Sequence, residues 1–410
     1  MRTHWPRSVV PLPMTDQGRV GVAGRRVTIV HDYLTETGGA ERVVAALLGL
    51  FPQAPLHASA FEPSVMDPIF AERGVRTSFL GRVAADKQRA KQLFPLFPLG
   101  FRSMRLDPTD IVLSSSSGFA HHVRPPRGAL HVCYCYTPPR FLWQPREYFR
   151  GKEHLRRSLW PALATLRGLD AQAARRVDAY VAISRHTADR IASVYGRDAA
   201  VIHPPVAVSR FRPSAERSGH FLVVARLVAY KRVDLAVAAA TRAELPLDVI
   251  GEGPERRSLE RLAGPTVRFL GRLTDERVRH LMARCTALLV PGTEDFGMTP
   301  VEAQASGRPP ICFAAGGALE TVEDGVTGFL VRDATPDAFA AAMRRAMVAD
   351  LQPGRLVNAA QRFDESIFRA RLGAHLETLL ERRPVRGSLS DLAAAITASA
   401  AVPAETPAEP

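Results

Sequence analysis

The chain has 410 residues, of which 46% are hydrophobic and 23% are charged, and this is the composition of an ordinary globular protein with two or three domains. Its net charge of +13 is consistent with binding to a nucleic acid, to an anionic membrane face or to a polyanionic small substrate. Arginine residues dispersed over the surface, without any anionic partner, would also explain it. The sequence has no zinc finger, no RNP aromatic motif and no leucine zipper, and this disfavours a nucleic acid as the partner.

Short apolar runs alternate with helical patterns in two successive series. The first series has predicted strands at 26–33, 55–60, 110–114, 129–135 and 179–184, helices at 40–50 and 155–176, and Ser184 as the N-cap of a further helix. The second series has predicted strands at 220–226, 247–250, 267–270, 287–290, 310–313 and 328–331, and helices at 231–242, 254–262, 275–283, 299–306 and 336–348. Since this alternation is typical of parallel sheets covered by helices on both faces, it predicts an α/β protein of two Rossmann-like, doubly wound domains.

Paired prolines in the segment 201–206 indicate a stiff hinge between the two series. We therefore expect an N-terminal acceptor domain at 26–205, a C-terminal nucleotide-sugar domain at 206–360, and an amphipathic helix at 361–382 that crosses back to the first domain. Open parallel sheets bind ligands beyond the carboxyl ends of their strands, so two facing sheets predict a ligand in the cleft between them.

The termini and the cysteines indicate a cytoplasmic protein. Residues 1–25 are basic and lack an apolar core of signal-peptide length, so we expect a disordered basic arm there and a largely disordered tail at 383–410. No apolar stretch is long enough to predict a transmembrane helix. Cys133, Cys135, Cys285 and Cys312 lack the spacing of zinc ligands and are expected to be free thiols. The basic and aromatic segment 87–105 either packs into the first domain or contacts anionic lipid headgroups.

Two glutamates eight positions apart carry the strongest chemical signal. Glu294 lies in a loop after a predicted strand, where its carboxylate can accept hydrogen bonds from sugar hydroxyls, and Glu302 lies on the next helix, where it can hold ribose hydroxyls. The backbone at the start of that helix, at Gly297, Met298 and Thr299, is suited to a phosphate group. The alternative is that Glu294 is a turn residue and Glu302 a solvated helix residue.

Arg226 and Lys231 are expected to reach the same mouth of the second sheet, since one ends a predicted strand and the other opens the helix after it. A departing nucleoside diphosphate gains negative charge, and two cations stabilise it without a metal. A lysine at a helix N-terminus is unfavourable with the helix dipole, and this indicates a bound anion. The alternative is an ordinary surface pair.

Glycines follow the first strand of one series and the second strand of the other, at Gly38, Gly39, Gly251 and Gly253. They let the backbone approach a diphosphate or a sugar closely, although helix capping alone would also explain Gly253. His121 lies near a strand mouth of the first domain, where an imidazole can help to position the anomeric carbon. The alternative for His121 is a partly exposed loop histidine.

These motifs together resemble a known family. Residues 291–309 resemble the E-x7-E signature of the family 4 retaining glycosyltransferases, which have the GT-B fold of two Rossmann-like domains facing across a cleft. Residues 31–44, 134–143 and 316–322 resemble the branch that includes mannosyltransferases of O-antigen and exopolysaccharide assembly. The resemblance runs from about residue 26 to residue 380.

The resemblance implies transfer of a hexose, with GDP-mannose as the expected donor, to a glycan or to a polyprenyl- or other lipid-linked acceptor. It implies that Arg226 and Lys231 bind the diphosphate, that retention proceeds by front-face attack, and that no metal or other cofactor is needed. The family commonly has histidine where this chain has Tyr136, so we expect the Tyr136 hydroxyl to bind the donor sugar instead. Arg140 and Trp143 then line the acceptor side. Peripheral attachment to the inner face of an anionic membrane is a further expectation.

Three other functions stay open at this stage. A GT-B nucleotide-sugar epimerase would change the sugar without an acceptor. A non-catalytic sugar-binding or lipid-surface-binding protein could use the same scaffold. An NAD-dependent oxidoreductase shares the strand-helix alternation, but no GxGxxG follows the first predicted strand.

Overall fold

A computed structural model describes residues 24–82, 93–149 and 153–382. Arg25–Arg371 form one compact unit, and the described part of a second unit consists of Gly24 and residues 372–382, which continue the last helix. Residues 1–23 of the predicted arm, the tail at 383–410 and residues 87–92 of the basic segment lie outside the described residues.

The first sheet has seven parallel strands in the order β3-β2-β1-β4-β5-β6-β7. The strands are β1 (Val27–His31), β2 (Leu56–Ala58), β3 (Arg76–Thr77), β4 (Ile111–Ser116), β5 (Leu130–Cys135), β6 (Ala179–Ala182) and β7 (Ala199–Val201). Its helices are α1 (Gly39–Leu50), α2 (Pro68–Glu72), α3 (Phe97–Ser103), α4 (Arg140–Trp143), α5 (Pro145–Tyr148), α6 (Glu153–Ser158), α7 (Trp160–Ala174) and α8 (Arg185–Tyr195). Strands β1, β4 and β5 are buried along their whole length, as expected for a sheet covered on both faces.

The second sheet has six parallel strands in the order β10-β9-β8-β11-β12-β13. The strands are β8 (Phe221–Val224), β9 (Leu247–Ile250), β10 (Val267–Gly271), β11 (Leu288–Val290), β12 (Pro310–Phe313) and β13 (Phe329–Val331). The helices are α9 (Val233–Ala243), α10 (Arg256–Leu262), α11 (Asp275–Arg284), α12 (Met298–Ala305), α13 (Ala318–Thr321), α14 (Pro336–Val348), α15 (Pro353–Gln361) and α16 (Glu365–Glu381). Two doubly wound parallel sheets confirm the predicted fold class.

The helices predicted at 155–176 and 361–382 have different boundaries in the structure. The helix predicted at 155–176 is two helices, α6 and α7, because Pro161 stands in the first turn of α7 and cannot continue a helix that precedes it. The helix predicted at 361–382 begins only at Glu365, after a break in which the amide of Val206 donates to the carbonyl of Phe363 at 2.9 Å. Beyond the break, Phe368 of α16 contacts Tyr134 of β5 edge-to-face at 5.7 Å between ring centroids.

The four cysteines are buried free thiols, as predicted. Ser184 caps α8 as predicted, since its Oγ accepts from the amide of Thr187 at 3.0 Å. Across the described ranges, every helix is too short or too polar to cross a lipid bilayer.

Candidate active site

The loops at the carboxyl ends of the two sheets contact each other, and the region between these loops is called the cleft. Arg226, just beyond β8, lies 3.4 Å from Glu36, beyond β1. Arg272, beyond β10, donates to the Thr37 hydroxyl at 2.9 Å. Arg226 therefore lies where the loops of the two sheets contact one another.

Lys231 and Glu294 form the central ion pair of this cleft. The Lys231 ammonium lies 2.5 and 2.6 Å from the two oxygens of Glu294, and both side chains are only about one-fifth exposed. Burial opposes the charged amine, but the nearby Glu294 carboxylate outweighs it and raises the pKa of Lys231. Two predicted donor-site residues of opposite charge, Lys231 and Glu294, are therefore paired with each other.

The expected position of Lys231 at a helix start was wrong. Lys231 ends a short 3-10 turn, Ala229–Lys231, and α9 begins at Val233 because Arg232 adopts a left-handed conformation with φ 51°. The Lys231 ammonium is paired with the Glu294 carboxylate, and it does not stand unpaired at the N-terminus of a helix. The argument for a bound anion from the helix dipole therefore does not hold, and the diphosphate role of Lys231 now depends on its place in the cleft.

The Glu294 loop is held by the glycines that follow β12. Glu294 forms a parallel bridge with Gly316, and the amide of Gly317 donates to the Glu294 carbonyl at 2.9 Å. A Cβ atom at Gly317 would collide with the backbone of Phe296. The 316–322 motif thus has a physical role that sequence reasoning left unassigned: it fixes the backbone of Glu294.

Glu302 is buried on α12, so its alternative interpretation as a solvated helix residue was wrong. Its carboxylate forms an ion pair with Arg42 of α1, on the opposite side of the cleft. Near this pair, a Cβ atom at Gly39 would lie 3.0 Å from the Met298 sulfur. The starts of α1 and α12 therefore face each other closely, with Gly38 and Gly297 as their N-caps and Thr299 in the first turn of α12.

Gly251 and Gly253 lie against the segment that carries Arg226. Cβ atoms at these two positions would collide with the carbonyl groups of Ala225 and Leu227, and Gly251 has a φ of 132°. The amide of Leu227 also donates to the Glu252 carbonyl at 2.9 Å. Glycine is required here for close backbone packing beside Arg226, which a capping role alone would not demand.

Tyr136 is buried, and its hydroxyl has partners within the first domain. It lies 2.8 Å from the Ser115 hydroxyl and donates to the carbonyl of Ala40 at 3.1 Å. Burial raises the pKa of Tyr136 well above its usual value. These bonds commit the hydroxyl to supporting the start of α1, which runs against the expectation that it faces the donor sugar.

His121 is also buried, so its alternative interpretation as a partly exposed loop residue was wrong. His121 and His122 each place Nε2 3.1 Å from the fully buried Asp170. Burial opposes protonation of His121, but the Asp170 carboxylate outweighs it and raises the pKa of His121. Trp143 and Tyr195 donate to the other Asp170 oxygen at 2.7 and 2.8 Å.

This buried cluster changes two expectations. The indole nitrogen of Trp143 bonds to Asp170, which runs against the expectation that Trp143 lines the site of the acceptor substrate. The ring of His121 is buried in the interior of the first domain, which runs against the expectation that it faces the cleft. Among the described residues, His121, His122 and Asp170 are the group that could hold a metal ion, with ligand atoms within 4.8 Å of one another. The Trp143 and Tyr195 bonds already occupy one oxygen of that carboxylate.

Comparison with known proteins agrees with this arrangement. Residues 37–210 match the family model Glycosyltransferase Family 4, and residues 209–363 match Glycosyl transferases group 1, so the two models together cover about four-fifths of the chain. Each half of the chain thus matches a glycosyltransferase family, and this supports a family 4-like glycosyltransferase of the GT-B fold. Membership of the mannosyltransferase branch stays a prediction.

Curated glycosyltransferases match parts of this chain. It is 29% identical to the D-inositol 3-phosphate glycosyltransferase of a Nocardioides species over 46% of the chain and 50% of the relative. It is 36% identical to the glycogen synthase of Xanthomonas oryzae pv. oryzae over 33% of the chain and 28% of the relative. The chain thus spans half or less of the length of these curated relatives.

Solved structures show the same GT-B fold. The sucrose-phosphate synthase of Thermosynechococcus elongatus superposes with a TM-score of 0.69 at 18% identity, over 88% of this chain and all of that one. Anabaena HepE, solved in complex with UDP and glucose, superposes with a TM-score of 0.63 at 18% identity, over 86% of this chain and 99% of that one. At this identity the likeness establishes the fold alone.

Sequence reasoning missed Asp295, which joins the two domains. Its carboxylate accepts from Arg140 at 2.6 Å and from Arg190 at 2.8 Å, and its backbone carbonyl accepts from Ser184 at 2.5 Å. Arg140 therefore contacts the loop that carries Glu294, and its guanidinium also lies 5.1 Å over the ring of Tyr230. The available sequence signal was the position of Asp295 directly after Glu294. This position marks an acidic residue in a loop, but it does not identify the arginines with which the residue pairs.

Asp32, directly after β1, was also missed. It is 2% exposed, and its carboxylate accepts from the backbone amides of residues 117–120. This single side chain fixes the loop after β4, which leads to His121. A buried acid at a strand end was the available signal, although burial itself becomes visible only in the folded chain.

Proposed function

We propose that this chain is a retaining glycosyltransferase that moves a hexosyl group from a nucleotide-diphosphate sugar to a glycan or lipid-linked acceptor. One observation carries the proposal: Lys231, Glu294, Glu302 and Arg226, which come from separate elements, converge on one interdomain cleft. The two family models, which together span both halves of the cleft, support the same class of reaction.

The ion pairs of the cleft suggest how a donor is bound. A nucleotide sugar presents an anionic diphosphate and neutral hydroxyls, which are the complements of a cation and a carboxylate. On binding, the diphosphate replaces Glu294 as the partner of Lys231, and the sugar hydroxyls replace Lys231 as the partners of Glu294. Each charged group exchanges one partner for another, so neither is left buried and unpaired.

Glu302 is proposed to hold the ribose and Arg226 to share the diphosphate charge. The bond from the anomeric carbon to the diphosphate breaks on the same face on which the acceptor hydroxyl attacks. The departing diphosphate takes the acceptor's proton, and the two cations stabilise its increasing charge. This scheme uses neither a divalent metal nor a covalent nucleophile from the chain.

GDP-mannose is the donor that we expect from the motif resemblance. A UDP-hexose is the second candidate, because the similar fold of Anabaena HepE was solved with UDP and glucose. A panel of GDP- and UDP-hexoses in a thermal-shift assay separates the two, since the donor that binds the folded state raises the melting temperature. Stabilisation by GDP-mannose alone supports the mannose proposal, and stabilisation by a UDP-hexose alone replaces it.

Activity is tested with the donor found in that panel and an acceptor panel of glycans and lipid-linked sugars. Glu294→Gln and Lys231→Met each keep the side-chain size but remove a charge, and each is expected to lower turnover by about a hundredfold or more. Glu276→Gln, an exposed glutamate on α11 of the same domain, is the matched control and should retain full activity. Full turnover in the Glu294 or Lys231 variant would contradict the roles assigned.

The same assays separate the alternatives. A changed sugar on the nucleotide in the absence of any acceptor would identify an epimerase. Donor binding without turnover across the acceptor panel would identify a non-catalytic binding protein. A cytoplasmic location with peripheral attachment to an anionic membrane, and a role in polysaccharide assembly, stay proposals that rest on charge and resemblance.

A further inference from the structure

A second cavity lies in the first domain, away from the residues assigned to the cleft. It has a volume of about 410 Å³ and is lined in part by strands β2 and β3 and by the segment after α3. His57 of β2 pairs in register with Arg76 of β3, and both line it. Arg105 and the hydroxyl-bearing residues Thr77, Ser78 and Ser103 complete the polar part of the lining.

His57 is a buried residue of this cavity, and one of its ring nitrogens lacks a hydrogen-bond partner among the described residues. It is 3% exposed, and its Nε2 atom has no hydrogen-bond partner among the described residues. Burial, helped by the charge of Arg76, lowers the pKa of His57 to about 4, so the ring is neutral near pH 7. A buried polar atom without a hydrogen-bond partner is destabilising, and a ligand atom that bonds to Nε2 would remove that cost.

The charge of the cavity is positive. Arg76 has one carboxylate partner, Asp107, at 2.6 Å. Arg105 is exposed and has no ion pair within the described ranges 24–82, 93–149 and 153–382. Planar guanidinium groups match the oxygens of a phosphate group in both geometry and charge.

We propose that this cavity binds the phosphate group of a ligand, with Arg105 and Arg76 contacting its oxygens and the ring of His57 bonding to it from below. A soluble phosphorylated compound and an anionic lipid headgroup share this chemistry. The site goes beyond the proposed transfer reaction, because it uses none of the cleft residues.

Imidazole NMR of the full-length protein tests the proposal, with the His57 signal assigned through a His57→Asn variant. Titration with inorganic phosphate is expected to move the His57 signal saturably, whereas chloride at equal ionic strength leaves it in place. Arg105→Gln should weaken phosphate binding about tenfold, which corresponds to about 1.4 kcal/mol. Arg127→Gln removes one exposed charge from the same domain outside the cavity and should leave binding unchanged.

A His57 signal that phosphate does not move would overturn the proposal, as would equal weakening by Arg105→Gln and Arg127→Gln. Calorimetric titration of the same variants gives a second measurement that does not depend on the His57 assignment. Vesicles of phosphatidylglycerol and of phosphatidylcholine identify the source of the phosphate group. If Arg105→Gln no longer binds phosphatidylglycerol vesicles, the ligand is a lipid headgroup. If Arg105→Gln still binds these vesicles but binds inorganic phosphate more weakly, the ligand is a soluble phosphorylated compound. Donor turnover should be unaffected in Arg105→Gln, so this proposal and the proposed function can fail separately.

Discussion

The buried carboxylate of Asp32 accepts hydrogen bonds from four successive backbone amides. One oxygen accepts from Ser117 and Gly118 at 2.5 and 2.8 Å, and the other accepts from Phe119 and Ala120 at 2.8 and 2.7 Å. Asp32→Asn converts one oxygen to an amino group, so two amides lose their acceptor. A hydrogen bond to a charged group contributes about 1.5–3 kcal/mol, and the substitution should therefore cost about 3–6 kcal/mol. That is a large part of the stability of an ordinary domain.

Urea unfolding followed by tryptophan fluorescence measures this loss in the right domain. All three tryptophans, Trp5, Trp143 and Trp160, precede the second sheet in the sequence, and Trp143 and Trp160 lie on helices of the first domain. Fluorescence therefore reports the first domain even when the two domains unfold separately. With a denaturant slope of about 1–3 kcal/mol per molar urea, the midpoint should fall by about 1 M or more.

Asp67→Asn is the matched control, since it makes the same chemical change at an exposed position. Asp67 caps α2 by accepting from the amide of Ile69 at 3.1 Å, and asparagine caps helices about as well as aspartate. We expect a change of less than about 0.5 kcal/mol there. If Asp32→Asn costs no more than Asp67→Asn, the assignment of Asp32 as the anchor of this loop is refuted.

Three other predictions concern pH, the Glu294 loop and the domain contact. Burial lowers the pKa of His122 to about 4 and that of His131 to about 3, below the unfolded value of about 6.5. Only the unfolded chain binds these protons between those values, so the free energy of unfolding should fall as pH drops below about 6.5, by up to about 1.4 kcal/mol per pH unit for each ring. Urea unfolding at several pH values measures this, and His131→Gln should reduce the slope. Gly317→Ala should displace the Glu294 loop and lower kcat/KM about tenfold or more, whereas Gly354→Ala, with open space around it, should not; equal values in the two variants would contradict the assigned role. Asp295→Asn removes two interdomain ion pairs and should increase the radius of gyration measured by X-ray scattering, and an unchanged radius would argue against a bridging role.

The cleft shows where sequence reasoning succeeded and where it stopped. Glu294 and Lys231 were both named from their motifs, but their pairing joins residues 63 positions apart. Arg42 was not singled out, and its partner Glu302 lies 260 positions away. A motif marks a residue by its neighbours in the chain, whereas an ion pair is defined by neighbours in space.

The sequence by itself determined the strand-helix alternation of both halves, the cap at Ser184 and the doubly wound fold class, because apolar periodicity and capping are local properties of the chain. It missed the short edge strands β3 and β7 of the first sheet. Only the tertiary structure decided that Tyr136 and His121 bond to groups within the first domain and that Asp32 anchors a distant loop. These outcomes depend on burial, which withdraws a polar side chain from water and obliges it to find a partner. Burial is a property of the packed sheets and helices together, and no single segment contains it.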